Sequence, residues 1–454
     1  MDLREHVSAL RRLIGGLRWQ VRTRFGAVIA VLETRLDTFS KTFLVPLVAL
    51  LSLTLIALAE RTRTRWRRFR GKPPRLIWGP SANLNNKYWS AALRAKGYES
   101  ATFAHAPVVI TARGDFDLYP EELLERNRLS ERWHPYVPFV WALRHGDVFL
   151  MYFDGGFLRS TPLEWRELSL LRLAGKKLIV VPYGGDIAVP GHLGRIEAPL
   201  LADYPDLPKA ADLIKRRILY LSRFADVSVR NTQPGFQPWF NVLWGKQLGI
   251  DTDLWIDQGS GSSADGRDGE VTVVHAPNHR AIKGTAHLER AVEELRNEGV
   301  LIKLQILEKR ANTEVRAAVA AADIVADQFL LSYALFAIEG MASGKPVLSN
   351  MSQVPDWFRD TVQMRACPIV NSSPATVKED LRRLVADPDL RRELGRAGRE
   401  FVIRYHSYEP IARRWDAIVQ FAWAGRPLPE ELAAPATGHQ GVASCQWPGE
   451  RASR

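Results

Sequence analysis

Residues 275–291 read "HAPNHRAIKGTAHLERA" and set Arg280, Lys283 and Gly284 between the β-branched run "EVTVV" and an amphipathic stretch of helical spacing. Two cations at the exit of a strand are chemistry for an anion. A helix start exposes free backbone N–H groups and carries a partial positive charge, so it favours phosphate. The Arg280 guanidinium can fork onto two phosphate oxygens, while the Lys283 ammonium adds a compact charge one turn away. Gly284 would let a ligand come close to the backbone. The same residues also fit a solvated loop that is simply basic.

Glu339 is the second candidate, the one charge in the apolar stretch 329–344, "FLLSYALFAIEGMASG". Burying a lone carboxylate is costly unless something pairs with it. Either a helix start or a nearby arginine holds it, or it accepts hydrogen bonds from the vicinal hydroxyls of a ribose, as acids do in other nucleotide sites. Two D-x-D triplets, Asp251 with Asp253 and Asp387 with Asp389, have the spacing of metal-holding carboxylates. The second precedes "LRRELGRAG" as helix-capping residues do. The ten histidines show no H-E-x-x-H spacing, and no metal site is predicted. Cys367 and Cys445 are the only cysteines, too few for a disulfide framework.

These residues must be positioned by a larger scaffold. From residue 75 onward, short β-rich runs such as "RLIWG", "KKLIVV", "VTVVHAP", "LIKLQIL" and "KPVLSN" alternate with helix-like stretches. That alternation predicts parallel βαβ units in α/β layers. The Gly/Ser/Asp-rich run 257–270 reads as a flexible linker or an exposed loop at a domain boundary. The tail from residue 425 lacks periodicity and is expected to be disordered over 425–454.

Charge is divided unevenly along the chain. Residues 1–72 hold 15 Lys/Arg against 5 Asp/Glu, whereas residues 73–454 hold 47 against 45. The nearly neutral body argues against nucleic-acid binding. Residues 42–59 carry no charge, and as a helix they would reach about 27 Å, enough for a hydrocarbon core. The basic flank 61–72 follows, with Trp66 and Phe69 in it, and it suits anionic head groups on the cytoplasmic side. Residues 3–36 show apolar positions at helical spacing with arginines between, as in a helix lying in the interface or one that binds a partner. Residues 1–72 are therefore expected to associate with a membrane, by a full span or monotopically, with a buried core helix over 42–59 as the alternative.

Taken together, these pieces resemble the GT-B glycosyltransferases, most closely family GT4. The family's phosphate-contacting R-x-x-K-G is similar to Arg280, Lys283 and Gly284. Its A-x-E-x-M-A-x-G-x-P-V is similar to "AIEGMASGKPV", which makes Glu339 the ribose-binding acid. "GIDTDLW" at 249–255, the helical pattern at 390–415 and "GKKLIVVPYGGDI" in the first half resemble further family motifs. Leu331 stands where the family's E-x7-E pair has its first acid, and Tyr183 where its H-G-S-D has histidine. Leu150 and Tyr152 lie where a first-domain histidine is expected.

The resemblance implies two Rossmann-like doubly wound domains facing a cleft: 73–248 on the acceptor side and 249–406 binding the nucleotide sugar. A helix over 407–424 would cross back to the first domain. It implies metal-independent, retaining transfer of a sugar from a nucleotide-diphosphate sugar to a hydroxyl acceptor. The membrane segment points to a lipid-linked or cell-surface glycan, handled at the cytoplasmic face. Arg280 and Lys283 would stabilise the leaving diphosphate. Gly79, Ser81 and Asn83, in the turn after the first strand, and Gly284 would help bind the donor, while Asp186 and Tyr183 are candidates for acceptor or sugar contact. A nucleotide-sugar 2-epimerase of the same fold and an inactive nucleotide-binding scaffold are the alternatives.

Overall fold

The computed structural model describes residues 40–108, 111–125, 130–256 and 262–434. The amphipathic pattern over 3–36 lies outside them. Strands β1 (Leu76–Trp78), β2 (Ser100–Thr102), β3 (Val148–Met151), β4 (Lys177–Val180), β5 (Val227–Arg230) and β6 (Val242–Leu243) form a parallel sheet in the order β2-β1-β3-β4-β5-β6. Strands β7 (Val271–His275), β8 (Ile302–Ile306), β9 (Ile324–Ala326), β10 (Val347–Ser349) and β11 (Val370–Asn371) form a second parallel sheet, ordered β11-β10-β9-β7-β8. β1, β3 and β9 are buried throughout, as expected of strands covered by helices on both faces.

The helix Leu84–Ala95 covers one face of the first sheet, and the chain's closing helix, Tyr408–Ala424, covers it with Leu84–Ala95. The closing helix follows Pro388–Tyr405 of the second domain and drives Trp415 among Trp78, Trp89 and Trp244. Those ring centroids lie 5.1, 5.0 and 5.3 Å away.

The other face of the first sheet is covered by the helices Val137–His145 and Glu167–Leu173 and, outside them, by the N-terminal helix Val45–Phe69. Ala49, Leu53, Ala57, Glu60 and Thr64 recur at intervals of three or four and are buried, the period of one helical face. The opposite face is apolar and open: Leu47, Leu51, Leu55 and Leu58 are 54, 59, 69 and 45% exposed. Polar contacts fix this helix to the domain beneath. The buried Lys176 ammonium lies 3.7 Å from Glu60 and 3.6 Å from Asp147, and Arg67 Nε lies 3.0 Å from the same aspartate. The helix is long and apolar enough to cross a membrane, yet it is built here as an outer layer of the first domain.

The first part of the expected disordered tail is a correction. Gly425 ends the closing helix in the left-handed region, and residues 426–434 fold back over the first sheet. Leu432 is 1% exposed, and Ala433 pairs antiparallel with Val242, because an apolar edge remained to be covered. Residues 435–454 lie outside the described residues. Of the expected linker, residues 257–261 likewise lie outside, whereas Ser262 and Ala264 are tied down by their carbonyls, which accept from the buried Arg391 guanidinium.

Candidate functional site

In each sheet the strand order reverses beside one strand, and ligands in open α/β sheets gather at the carboxyl ends of the strands there. In the first sheet that place lies between β1 and β3. Ser81, just after β1, donates its hydroxyl to Asp154, just after β3, with Oγ 2.7 and 2.8 Å from the two carboxylate oxygens. In the second sheet it lies between β7 and β9. Lys283, beyond β7, pairs with Asp327, just after β9, at 2.9 Å. His275 locks this second junction, with one ring nitrogen 2.8 Å from the Ala326 carbonyl and the other 2.9 Å from the Thr285 hydroxyl.

The two junctions open on one cleft between the domains. A cavity of about 320 Å³ takes its walls from loops after β1, β3, β4 and β5 on one side and after β7, β8 and β9 on the other. Lys283 and Glu339 both line it. Glu339 stands on the helix Leu335–Ala342, is 4% exposed, and accepts from Asn312 Nδ2 at 2.8 Å. Burial pushes its carboxyl up to about 8, against the lowering effect of Asn312, so near neutrality it is largely protonated. Adjoining space of about 910 Å³ is lined by Ser81, Asn83, Asp154, Arg159, Tyr183 and Leu331 among others. Burial raises the Asp154 carboxyl above its usual range, opposed by the Ser81 hydrogen bond.

Several expected positions are corrected. Arg280 does not line the cleft: its guanidinium is held by Glu289 at 2.6 Å and Glu308 at 3.6 Å. Its short helix, Arg280–Lys283, does not offer a free N-terminus either. Asp203 of the first domain accepts from the N–H groups of Ala281 and Ile282 at 3.2 and 2.8 Å. Gly284 lies in the left-handed region at φ 72° and turns the chain into the helix Thr285–Asn297, a bend that requires its freedom. Gly79 also stands back from the cavities; a Cβ there would meet the Phe103 carbonyl oxygen at 2.3 Å. Asp186 is 3% exposed, and its carboxyl is taken up by the N–H groups of Phe153, Tyr183 and Gly184 at 3.0, 2.9 and 2.9 Å, so it caps a turn. Asp251 and Asp387 likewise accept from backbone N–H groups two or three residues on.

The structure also brings in residues that the motifs did not single out. Lys246, on the crossover between the domains, is 4% exposed and lines the central cavity. Its ammonium donates to the Ser332 hydroxyl at 3.1 Å and the Tyr333 carbonyl at 2.5 Å, and lies 4.6 Å from the Tyr333 ring centroid. Among the described residues no carboxylate pairs with it directly, and burial lowers its pKa to about 7, with Asp327 acting in the other direction. Arg310 and Asn278 join it on the lining. Asp327 had a signal in the sequence, since it directly follows a strand; Lys246 had none, because it sits on an irregular crossover.

Residues 299–417 match a protein family described as "Glycosyl transferase-like". No curated protein matches the sequence. Among solved structures, sucrose-phosphate synthase from Thermosynechococcus elongatus overlays with a TM-score of 0.48 at 14% identity, over 78% of this chain and 100% of that one. WaaG, a glycosyltransferase involved in lipopolysaccharide biosynthesis, overlays at 0.42 and 11%, over 76% and 99%. A putative UDP-N-acetylglucosamine 2-epimerase from Listeria monocytogenes overlays at 0.40 and 11%, over 78% and 98%. The chain itself has two parallel sheets flanked by helices, as expected of two Rossmann-like domains.

Proposed function

We propose that this GT-B chain, with its glycosyl transferase-like segment, moves a sugar from a nucleotide-diphosphate sugar to a hydroxyl acceptor, with retention at the anomeric carbon. The observation that carries the reading is the interdomain cavity in which Lys246, Lys283 and Glu339 meet. As the anomeric C–O bond breaks, the diphosphate gains negative charge, and fixed cations aimed at it stabilise that transition state. Lys283 is partly neutralised by Asp327, so the unpaired Lys246 ammonium supplies the uncompensated charge. The Glu339 carboxyl hydrogen-bonds the ribose hydroxyls. Ser81, Asn83, Asp154 and Tyr183 line the side from which the acceptor enters. The domains close around the donor and keep water out.

The acceptor is a lipid-linked or cell-surface glycan, handled at the cytoplasmic face of a membrane. The open apolar face of the N-terminal helix and its basic flank support that part of the reading. Transfer from a panel of radiolabelled nucleotide-diphosphate sugars to membrane extracts is the test, with the products separated. Lys283→Ala is expected to lower kcat/KM by about a hundredfold or more. Arg280→Ala, which removes a side chain outside the cleft, is expected to change it by less than about threefold. Equal losses from the two variants, or conversion of the nucleotide sugar without any acceptor, would overturn the reading.

A further inference from the structure

A third cavity, of about 380 Å³, lies away from the interdomain cleft, where the N-terminal helix meets the helices Glu167–Leu173 and Leu207–Phe224. Arg61, Arg65, Arg68, Arg172, Lys177 and Arg223 line it. Lys177 is paired with Asp226, the one acid on the lining among the described residues, and Arg68 lies 5.3 Å from the Trp423 ring centroid. Arg61, Arg65, Arg172 and Arg223 have no carboxylate partner among the described residues. Thr64 also lines the cavity; it is 1% exposed, and its hydroxyl has no hydrogen-bond partner among the described residues. Four uncompensated guanidinium groups around one hollow repel each other, a cost that an anion in the hollow relieves.

The setting identifies the anion's carrier. Arg61 and Arg65 stand three and seven residues after Leu58, on the flank of the same helix that presents Leu47, Leu51, Leu55 and Leu58 to the outside. Trp66 and Phe69, 54 and 82% exposed, continue that apolar line towards the helix end. A bilayer laid against the line would bring its head-group layer to the mouth of the cavity. A free phosphate needs the arginines but not the leucines; a phospholipid uses both. We propose that this cavity seats the phosphate head group of an anionic phospholipid, with the N-terminal helix lying in the plane of the membrane surface. The proposal rests on the membrane part of the function above but not on its donor site.

Flotation of the full chain with phosphatidylcholine vesicles, and with vesicles in which part of that lipid is replaced by phosphatidylglycerol, tests it. The unmodified chain should partition more strongly to the phosphatidylglycerol vesicles, less so at high salt. Arg172→Gln with Arg223→Gln, two exposed residues outside the N-terminal helix, should lower that partition by about tenfold or more. Arg383→Gln with Arg396→Gln makes the same change in net charge on the second domain and should leave it nearly unchanged. An unaltered melting temperature in both double variants checks that each is folded. Equal loss from the two pairs, or no loss from the first, overturns the pocket while leaving membrane binding intact. Absence of binding to either vesicle overturns both the pocket and the membrane reading. Stabilisation of the chain by inorganic phosphate through Arg172 and Arg223, without preference for phosphatidylglycerol, overturns the lipid in favour of a free anion.

Discussion

At the scale of residues, the cleft is governed by which charges are already matched. Arg280 has Glu289 and Glu308, and Lys283 has Asp327, whereas among the described residues Lys246 donates only to neutral oxygens. The groups acting on Lys246 are Asp327, Lys283, Cys367 and His406, together with the face of Tyr333. Its ammonium titrates near 7 in the free protein, and a bound diphosphate would raise that value. Binding then takes up a proton, and the contribution of Lys246 to affinity shrinks as pH rises through about 7. Lys246→Met should weaken nucleoside-diphosphate binding by about tenfold or more at pH values below that point, with a smaller difference above it. Calorimetry in buffers of differing ionisation enthalpy measures both the affinity and the proton. A difference between the two proteins that is independent of pH would remove Lys246 from the anion site.

At the scale of elements, the N-terminal helix belongs to the first domain by packing and by charge. Lys176 sits wholly buried between Glu60 of that helix and Asp147 at the base of β3, and Asp147 also accepts from Arg75 Nε at 2.9 Å. Burial lowers the pKa of Lys176, while Asp147 and Glu60 raise it. Removing the ammonium leaves Glu60 buried with only Arg63, itself largely exposed, at 2.7 Å. Lys176→Met should therefore destabilise the fold by about 3 kcal/mol or more, read from urea unfolding. An unchanged midpoint would mean that the helix is held by its apolar line alone. The period of that helix was legible in the sequence, but its direction was not. A chargeless run of 18 residues satisfies a bilayer and a protein surface equally well, and only the buried line of Ala49, Leu53 and Ala57 shows which side the protein takes.

At the scale of the whole molecule, the two domains are joined by more than the crossover at Lys246. Asp203 and Tyr204 of the first domain meet Ala281, Ile282 and His279 of the second. The closing helix leaves the second domain and completes the core of the first. Trp415, 0% exposed, is its anchor among three other tryptophans. Trp415→Ala should cost about 3–5 kcal/mol and shift the unfolding of the first domain, followed by tryptophan fluorescence in a urea titration. A loss below about 1 kcal/mol would show that the helix is a peripheral cover and that the core closes without it.

The sequence by itself determined the alternating α/β architecture and the amphipathic and apolar periods, because these follow from local spacing; for Lys283 and Glu339 the residue pattern left two readings open, and the folded chain brings both to the cleft. The sequence could not determine where Arg280 points. That depended on Glu289 and Glu308, two carboxylates brought within reach only when the helix and the loop after β8 were packed side by side. Nor could it distinguish Asp154 from Asp186 as the acid facing the cleft, since both follow a strand and only the folded backbone spends its N–H groups on one of them. Lys246 and the arginine-lined cavity belong wholly to the tertiary structure: their charges come from segments far apart in the chain, and an electrostatic site exists only once distance in space replaces distance in sequence.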